Sequence, residues 1–166
     1  VIGSISGMAK KSMGTQAFIA VAVMAIGNAL GRVIAGILSD RIGRRTTLML
    51  VLLIQAGLMF AAIPITASHD AKLSIVLVAA LIGANYGANL SLFPSFTKDL
   101  WGIRNFGLNY GVLFTAWGVG GLILPRVQQM LTKSSGGSFE SSFQTAGALL
   151  LLGAALTFLI RPQKHA

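Results

Sequence analysis

The sequence contains no cysteine and very few acidic residues. Of its 166 residues, only four are Asp or Glu, and charged residues of both signs make up 10%. The lack of cysteine excludes disulfide frameworks, thiolate metal sites and cysteine nucleophiles. Soluble domains carry roughly a quarter charged residues, so the shortage of charge excludes a water-soluble globule. It also excludes intrinsic disorder, which requires low hydrophobicity and a high charge fraction.

Apolar residues dominate the composition. Hydrophobic residues make up 54% of the chain, and the mean hydropathy is +0.77. In a polar protein, the formal net charge of +9 would indicate a nucleic-acid partner. Here the basic residues lie between long apolar runs, which is typical of membrane proteins. We therefore expect an integral membrane protein whose partner is the lipid bilayer and not nucleic acid.

Five apolar segments reach the length of about 20 residues that a bilayer-crossing helix needs. The runs are too long for transmembrane strands and lack their alternating pattern. The expected fold is therefore all-α. We predict spans at approximately 18–38, 48–67, 73–93, 107–131 and 143–160, joined by polar loops at 39–47, 68–72, 97–105 and 132–142.

The first nine residues form a shorter apolar stretch. Residues 1–9 cannot span a bilayer, and Lys10 and Lys11 follow them directly. A signal peptide would place its charges before the apolar stretch. We interpret residues 1–9 as the end of a helix whose beginning is absent, so that the chain is a fragment or a truncated gene product.

The basic residues of the loops predict the orientation of the chain. Lys and Arg collect on the cytoplasmic side of short loops. One side has seven of them and the other side has four. The seven are Arg41, Arg44, Arg45, Lys98, Arg104, Arg161 and Lys164; the four are Lys10, Lys11, Lys72 and Lys133. We predict a multi-pass protein of the inner or plasma membrane with a cytoplasmic C-terminus.

The joint between the first two spans carries an ordered set of glycine, acidic and basic residues. Residues 36–45 read Gly-Ile-Leu-Ser-Asp-Arg-Ile-Gly-Arg-Arg. Gly36 allows close approach of a neighbouring helix, and Gly43 permits a turn that a side chain would obstruct. Asp40 can receive the positive N-terminal end of a helix from elsewhere, or pair with a local Arg.

This order of residues resembles the Gly-x-Leu-x-Asp-Arg-x-Gly-Arg-Arg signature of the major facilitator superfamily. A generic positive-inside loop would explain a lone Arg, but not the ordered set. Because only five full spans are present, the resemblance implies the C-terminal six-helix half of a twelve-helix fold, with residues 1–9 as the truncated helix 7. The N-terminal six-helix half is then the partner. The implied conformational latch consists of Gly36, Asp40, Arg41, Gly43, Arg44 and Arg45.

Arg32 is a basic residue within the first full span. It precedes Asp40 by eight residues, which places it about 12 Å deeper in the membrane at 1.5 Å per residue. Ionisable groups at such depth mark substrate or ion paths by default, and the guanidinium fork suits a carboxylate. Asn28 lies one turn away on the same face. We expect these two residues to bind substrate. Alternatively, Arg32 has a structural role and pairs with a group elsewhere in the protein, or its side chain extends to the membrane interface.

Polar residues in the third and fourth spans are further candidates for substrate binding. Asn85 and Asn89 share a helix face at a spacing of four, as do Tyr110 and Trp117 at a spacing of seven. Helix–helix packing explains either pair equally well. The fourth span is rich in glycine, which favours a helix that bends during gating.

Two longer stretches resemble the oxalate/formate antiporter family. They run from Asn85-Tyr86-Gly87 through Gly102, and from Asn109-Tyr110-Gly111 to Gly118; the likeness covers roughly residues 27–125. It implies that Arg32 contacts an anionic substrate. Oxalate carriers have a Lys where this chain has Trp117, so the resemblance favours a monocarboxylate over a dianion.

The expected function is secondary transport of small organic anions, such as oxalate, formate, lactate or pyruvate, by alternating access. One alternative is a carrier of the same superfamily with a drug or sugar as cargo. Another is a truncated half that transports nothing alone. An enzyme is not expected, because the sequence has no nucleophile–base pair or phosphate-binding loop. No cofactor or metal is expected either, since His69 and His165 have no ligand set around them.

Overall fold

A computed structural model describes residues 17–67, 72–134 and 140–160. These ranges form five α-helices and no strand. They are α1 (Ala17–Ile42), α2 (Arg44–Ala67), α3 (Lys72–Trp101), α4 (Phe106–Ser134) and α5 (Glu140–Leu156), and α5 continues into a 3₁₀ turn at Thr157–Leu159. All five helices are long and apolar enough to cross a membrane, which confirms the all-α prediction and indicates a multi-pass membrane protein. The predicted helix 7 remnant at 1–9 lies outside the described residues, and the assignment to one half of a twelve-helix fold stays a prediction.

Two of the predicted loops are mostly helical. The loop expected at 39–47 reduces to Gly43 alone, and α3 continues through most of the loop expected at 97–105, as far as Trp101. Hydropathy marks the part of a helix that lies in lipid, whereas the helical hydrogen bonds continue into the interface. Helices α1 and α3 end directly before Gly43 and Gly102, which have positive φ angles of 88° and 73°. Residues with a side chain rarely adopt this backbone conformation.

The tightest contact in the fold is between α1 and α3. A Cβ atom added at Gly27 or Gly31 would lie less than 3 Å from the backbone oxygen of Ala80 or Ala84, respectively. On α3, a Cβ atom added at Gly83 or Gly87 would likewise lie less than 3 Å from the backbone oxygen of Met24 or Asn28, respectively. Because four glycines interlock, the two helix backbones touch directly, as small residues allow in membrane helices.

Helix α2 packs beside this pair and supplies most of the remaining core. One cluster joins Met24 of α1 and Met59 of α2 to Ile82 of α3. A second, nearer the α1–α2 turn, joins Leu48 of α2 to Leu92 of α3. Helix α5 packs on the outside of α2, where Gly147 lies against the ring of Phe60.

Helix α4 is the most exposed element. None of the side chains from Phe106 to Lys133 is buried within the described structure. Four of its glycines, at 107, 111, 118 and 121, have no neighbour within 4 Å of the position that a Cβ would take. The glycine-rich face of α4 is therefore open in this part of the molecule, unlike the glycine face of α1.

We expect Gly31→Ala to lower the thermal stability of the protein. The added methyl group would collide with the backbone of Ala84, and overpacking of this kind costs about 1–3 kcal/mol. The control is Gly57→Ala, because no described atom outside its own stretch of helix lies within 4 Å of the corresponding methyl position. Thermal unfolding in detergent measures both variants. Equal midpoints for the two would contradict the close α1–α3 contact.

Candidate functional site

The α1–α2 turn places Arg44 at the centre of a group of polar side chains. Its Nη1 lies 3.5 Å from the Oδ1 atom of Asp40 and donates a hydrogen bond of 3.2 Å to the Oγ atom of Ser39. Its Nε donates to the Oδ2 atom of Asp99 in the last turn of α3. Arg44 therefore ties the ends of α1 and α3 to the start of α2.

Gly43 makes this arrangement possible. Its positive φ angle reverses the chain within one residue, so that α2 begins directly at Arg44. The Gly43 carbonyl accepts hydrogen bonds from both the backbone N–H and the hydroxyl of Thr47, at 3.1 and 2.9 Å. Thr47 is fully buried. The start of α2 is thereby held at one angle, and both arginines project from its first turn.

Arg45 makes a second connection, to the end of α5. Its Nη2 donates a hydrogen bond of 3.0 Å to the backbone oxygen of Phe158, and its guanidinium carbon lies 5.3 Å from the centre of the Phe158 ring. A cation near the C-terminal end of a helix is stabilised by the helix dipole, and the aromatic face adds a cation–π contact. The two adjacent arginines thus join α2 to α3 and to α5.

Of the six predicted latch residues, the structure brings Asp40, Gly43 and Arg44 together. Arg45 contacts the end of α5 instead, and Arg41 is exposed. At Gly36, none of the described residues comes within 4 Å of a Cβ position. For Asp40, the local pairing with Arg44 is the one observed here.

Motif reasoning missed Asp99, Ser39 and Phe158. Asp99 has the clearest signal in the sequence, because the predicted topology puts the 97–105 joint on the same side of the membrane as the arginine cluster. An acid on that side is the natural partner of an Arg. The contact with Phe158 uses a backbone oxygen and an aromatic face, neither of which leaves a recognisable pattern in the sequence.

Arg32 lies near the middle of the membrane-length part of α1. It precedes the end of α1 at Ile42 by ten residues, or about 15 Å of helix rise. Its side chain is exposed, and its Nε donates a hydrogen bond of 3.0 Å to the Oδ1 atom of Asn28. The structure thus confirms that Arg32 and Asn28 share a face.

Asn85 and Asn89 lie on α3, near its contact with α1. Asn85 is 8% exposed and donates to the backbone oxygen of Leu81. Asn89 donates to the backbone oxygen of Asn85 at 2.9 Å, and its own Oδ1 atom is buried with no hydrogen-bond partner among the described residues. Both amides therefore bond chiefly along their own helix.

Tyr110 and Trp117 belong to a continuous row of aromatic rings on α4. Tyr110 stacks on Phe106 with 5.6 Å between ring centres. Phe114 then bridges Tyr110 and Trp117, at 5.4 and 5.2 Å. The shared face predicted for Tyr110 and Trp117 is thus observed, with Phe106 and Phe114 as members that the prediction omitted.

Arg126 stands outside the predicted site. Like Arg32, it is a basic residue away from the ends of a membrane-length helix; it lies in the part of α4 remote from the α3–α4 turn, and its side chain is exposed. It is nine residues from Trp117, which places it on the opposite side of α4 from the aromatic row.

The sequence matches the family model described as Major Facilitator Superfamily over residues 2–166. Among its relatives, it is 33% identical over 106 residues to the uncharacterized MFS-type transporter YhjX of Escherichia coli, covering 62% of this chain and 25% of YhjX. It is 32% identical over 140 residues to the probable sulfoacetate transporter SauU of Cupriavidus necator, covering 80% of this chain and 32% of SauU.

A vertebrate protein is also similar. The chain is 29% identical over 140 residues to monocarboxylate transporter 9 of Gallus gallus, covering 84% of this chain and 27% of that protein. The chain thus spans less than a third of the length of each of these three curated relatives. Because the family model matches the sequence almost from end to end, the chain belongs to the major facilitator superfamily.

Proposed function

We propose that this chain is part of a secondary transporter that moves small organic anions across a membrane by alternating access, and that Arg32 binds the anionic group of the substrate. The observation that carries the proposal is Arg32 itself: an exposed cation midway along a membrane-length helix. None of the acidic side chains in the described ranges forms an ion pair with it. A charge at this depth is expensive unless it serves a substrate or ion path.

The names of two relatives support an anionic cargo. One is named for sulfoacetate and the other for monocarboxylates, and both names denote small organic anions. Guanidinium groups bind carboxylates through two parallel hydrogen bonds. Asn85, Asn89, Tyr110 and Trp117 complete the proposed substrate-binding set, as amide and aromatic groups on α3 and α4.

The proposed latch is the group of contacts around Arg44. Alternating access requires contacts that form on one side of the membrane in one state and break in the other. The ion pair between Arg44 and Asp99 is suited to this role because both side chains are partly exposed, at 26% and 44%. In our proposal this turn faces the cytoplasm, and Gly36 and Arg41 contact the N-terminal six-helix half when that side is closed.

The proposal also includes the place of the chain in the complete transporter. We assign α1 to α5 to helices 8 to 12, with the C-terminus on the cytoplasmic side of an inner or plasma membrane. The support is the position of the 36–45 motif across the turn between the first two full helices, together with the excess of Lys and Arg in the joints on that side.

We expect Arg32→Gln to abolish most carboxylate uptake by the complete transporter. Loss of charged hydrogen bonds worth about 1.5–3 kcal/mol corresponds to roughly a 10- to 150-fold weaker apparent affinity. Uptake of labelled formate, acetate, pyruvate and oxalate into proteoliposomes measures the effect. Arg104→Gln is the matched control, because Arg104 is exposed in the α3–α4 turn. Equal uptake by Arg32→Gln and the control would refute the role of Arg32.

We expect Asp99→Asn to open the side of the protein that carries the α1–α2 turn. Partly exposed ion pairs contribute up to about 1 kcal/mol. Val112 lies in the second turn of α4, close to the α3–α4 turn that follows Asp99. The labelling rate of a cysteine introduced at Val112 should therefore rise by about two- to five-fold. Asp40→Asn should have a smaller effect, because Asp40 is 70% exposed and lies 3.5 Å from Arg44. Since the sequence has no cysteine of its own, labelling within it reports the introduced residue alone.

Glu140→Gln serves as the control for the removal of a charge, because Glu140 lies at the start of α5, away from Arg44 in the predicted topology. If Asp99→Asn and Glu140→Gln gave the same labelling rate as the parent protein, the latch role of the Arg44–Asp99 pair would be excluded.

A further inference from the structure

We propose that Asn28 is a positioning residue: it orients the Arg32 guanidinium for an anion and keeps its positive charge available, without itself binding the substrate. This inference rests on the proposed function of Arg32. It revises the role expected for Asn28 from the sequence, where both residues were candidates for direct contact with substrate.

The hydrogen bond between the two side chains restrains a long, mobile side chain. An arginine side chain has many rotamers to choose among, and the Arg32 side chain is exposed. The bond from its Nε to Asn28 Oδ1, 3.0 Å long, is the one hydrogen bond that Arg32 makes within the described ranges. Asn28 is therefore the group that selects among the orientations of the guanidinium.

Asn28 is itself held in place by the α1–α3 contact. Its backbone carbonyl lies against Gly87 so closely that a Cβ atom at position 87 would overlap it. The side chain of Asn28 therefore starts from a backbone that has little freedom to move relative to α3. The position of the guanidinium thus depends, through Asn28, on the most closely packed helix pair of the described residues.

An amide is chemically suited to this task. A neutral oxygen accepts the Nε–H but leaves the full positive charge of Arg32 uncompensated. A carboxylate at position 28 would make the same hydrogen bond and also cancel that charge, since ion pairs strengthen in surroundings of low dielectric constant. Asn28 therefore satisfies one donor of the guanidinium while preserving its attraction for an anion.

The geometry also points to the class of ligand. With Nε occupied by Asn28, the two terminal nitrogens of Arg32 remain as a fork, and such a fork binds one carboxylate through parallel hydrogen bonds. A single cation with one free fork matches a ligand with one anionic group. The expected ligands are thus monocarboxylates, bound by their carboxylate end.

The first test compares Asn28→Leu and Asn28→Asp in the complete transporter. Leu has a similar size but accepts no hydrogen bond, so we expect KM for the carboxylate taken up by the parent protein to rise about three- to ten-fold, with little change in the maximal rate. Asp keeps the hydrogen bond but neutralises Arg32, so KM should rise more than ten-fold. Asn105→Asp adds the same charge in the exposed α3–α4 turn and should leave KM unchanged.

The second test observes Arg32 directly and needs no substrate. In protein labelled with ¹⁵N-arginine and reconstituted into nanodiscs, the Nε–H signal of Arg32 is identified by its absence in Arg32→Gln. We expect Asn28→Leu to move this signal while the other arginine signals stay in place, which also reports that the variant is folded. An unmoved Arg32 signal would overturn the positioning role.

The outcomes separate this inference from the function on which it rests. If the parent protein takes up none of formate, acetate, pyruvate or oxalate, the proposed anion transport fails. If it takes up one of them and Asn28→Leu, which removes the hydrogen bond, has the same KM as the parent, Arg32 does not depend on Asn28, and only the positioning role fails.

Discussion

The direct backbone contact between α1 and α3 is the constraint on which the rest of the structure depends. Four glycines interlock along it, so the two helices have little freedom to slide or separate. Between membrane helices, association relies on close packing rather than on the hydrophobic effect. The contact also fixes the backbone of Asn28, which carries the hydrogen-bond partner of Arg32. In the positioning role proposed for Asn28, this packing feature determines where the Arg32 guanidinium points.

The arginines of the α1–α2 turn extend this rigid pair to its neighbours. Through Arg44, the start of α2 is tied to the last turn of α3, and through Arg45 it is tied to the end of α5. These contacts lie at one end of the helices, where water and headgroups weaken ion pairs. The packing of α1 against α3 is therefore stronger than the polar contacts of Arg44 and Arg45 at the helix ends. This difference would allow the α1–α3 pair to stay intact while the polar contacts break and re-form.

Different parts of the molecule were predictable to different degrees. The five helices followed from apolar run length, and the shared face of Arg32 and Asn28 followed from helical periodicity, because both depend on local geometry. The loop predicted at 97–105 began too early, because hydropathy reports where lipid ends and not where helical hydrogen bonding ends. Asp99 was missed as the partner of Arg44 because 55 residues separate the two in the chain, and a motif of ten residues contains no information about such a distance.

The sequence by itself determined the class of this protein: composition and run length require a bilayer, and the ordered Gly, Asp and Arg residues at 36–45 indicate the superfamily. Glycine content alone, however, did not distinguish Gly27 and Gly31 of α1, which are closed against α3, from the glycines at 107, 111, 118 and 121 of α4, which are open within the described structure. Only the tertiary structure decided this, because a glycine's role depends on what approaches it. The same reason applies to Arg44 and Arg45, which are adjacent and identical in the sequence yet bind different helices, since successive helical residues point about 100° apart.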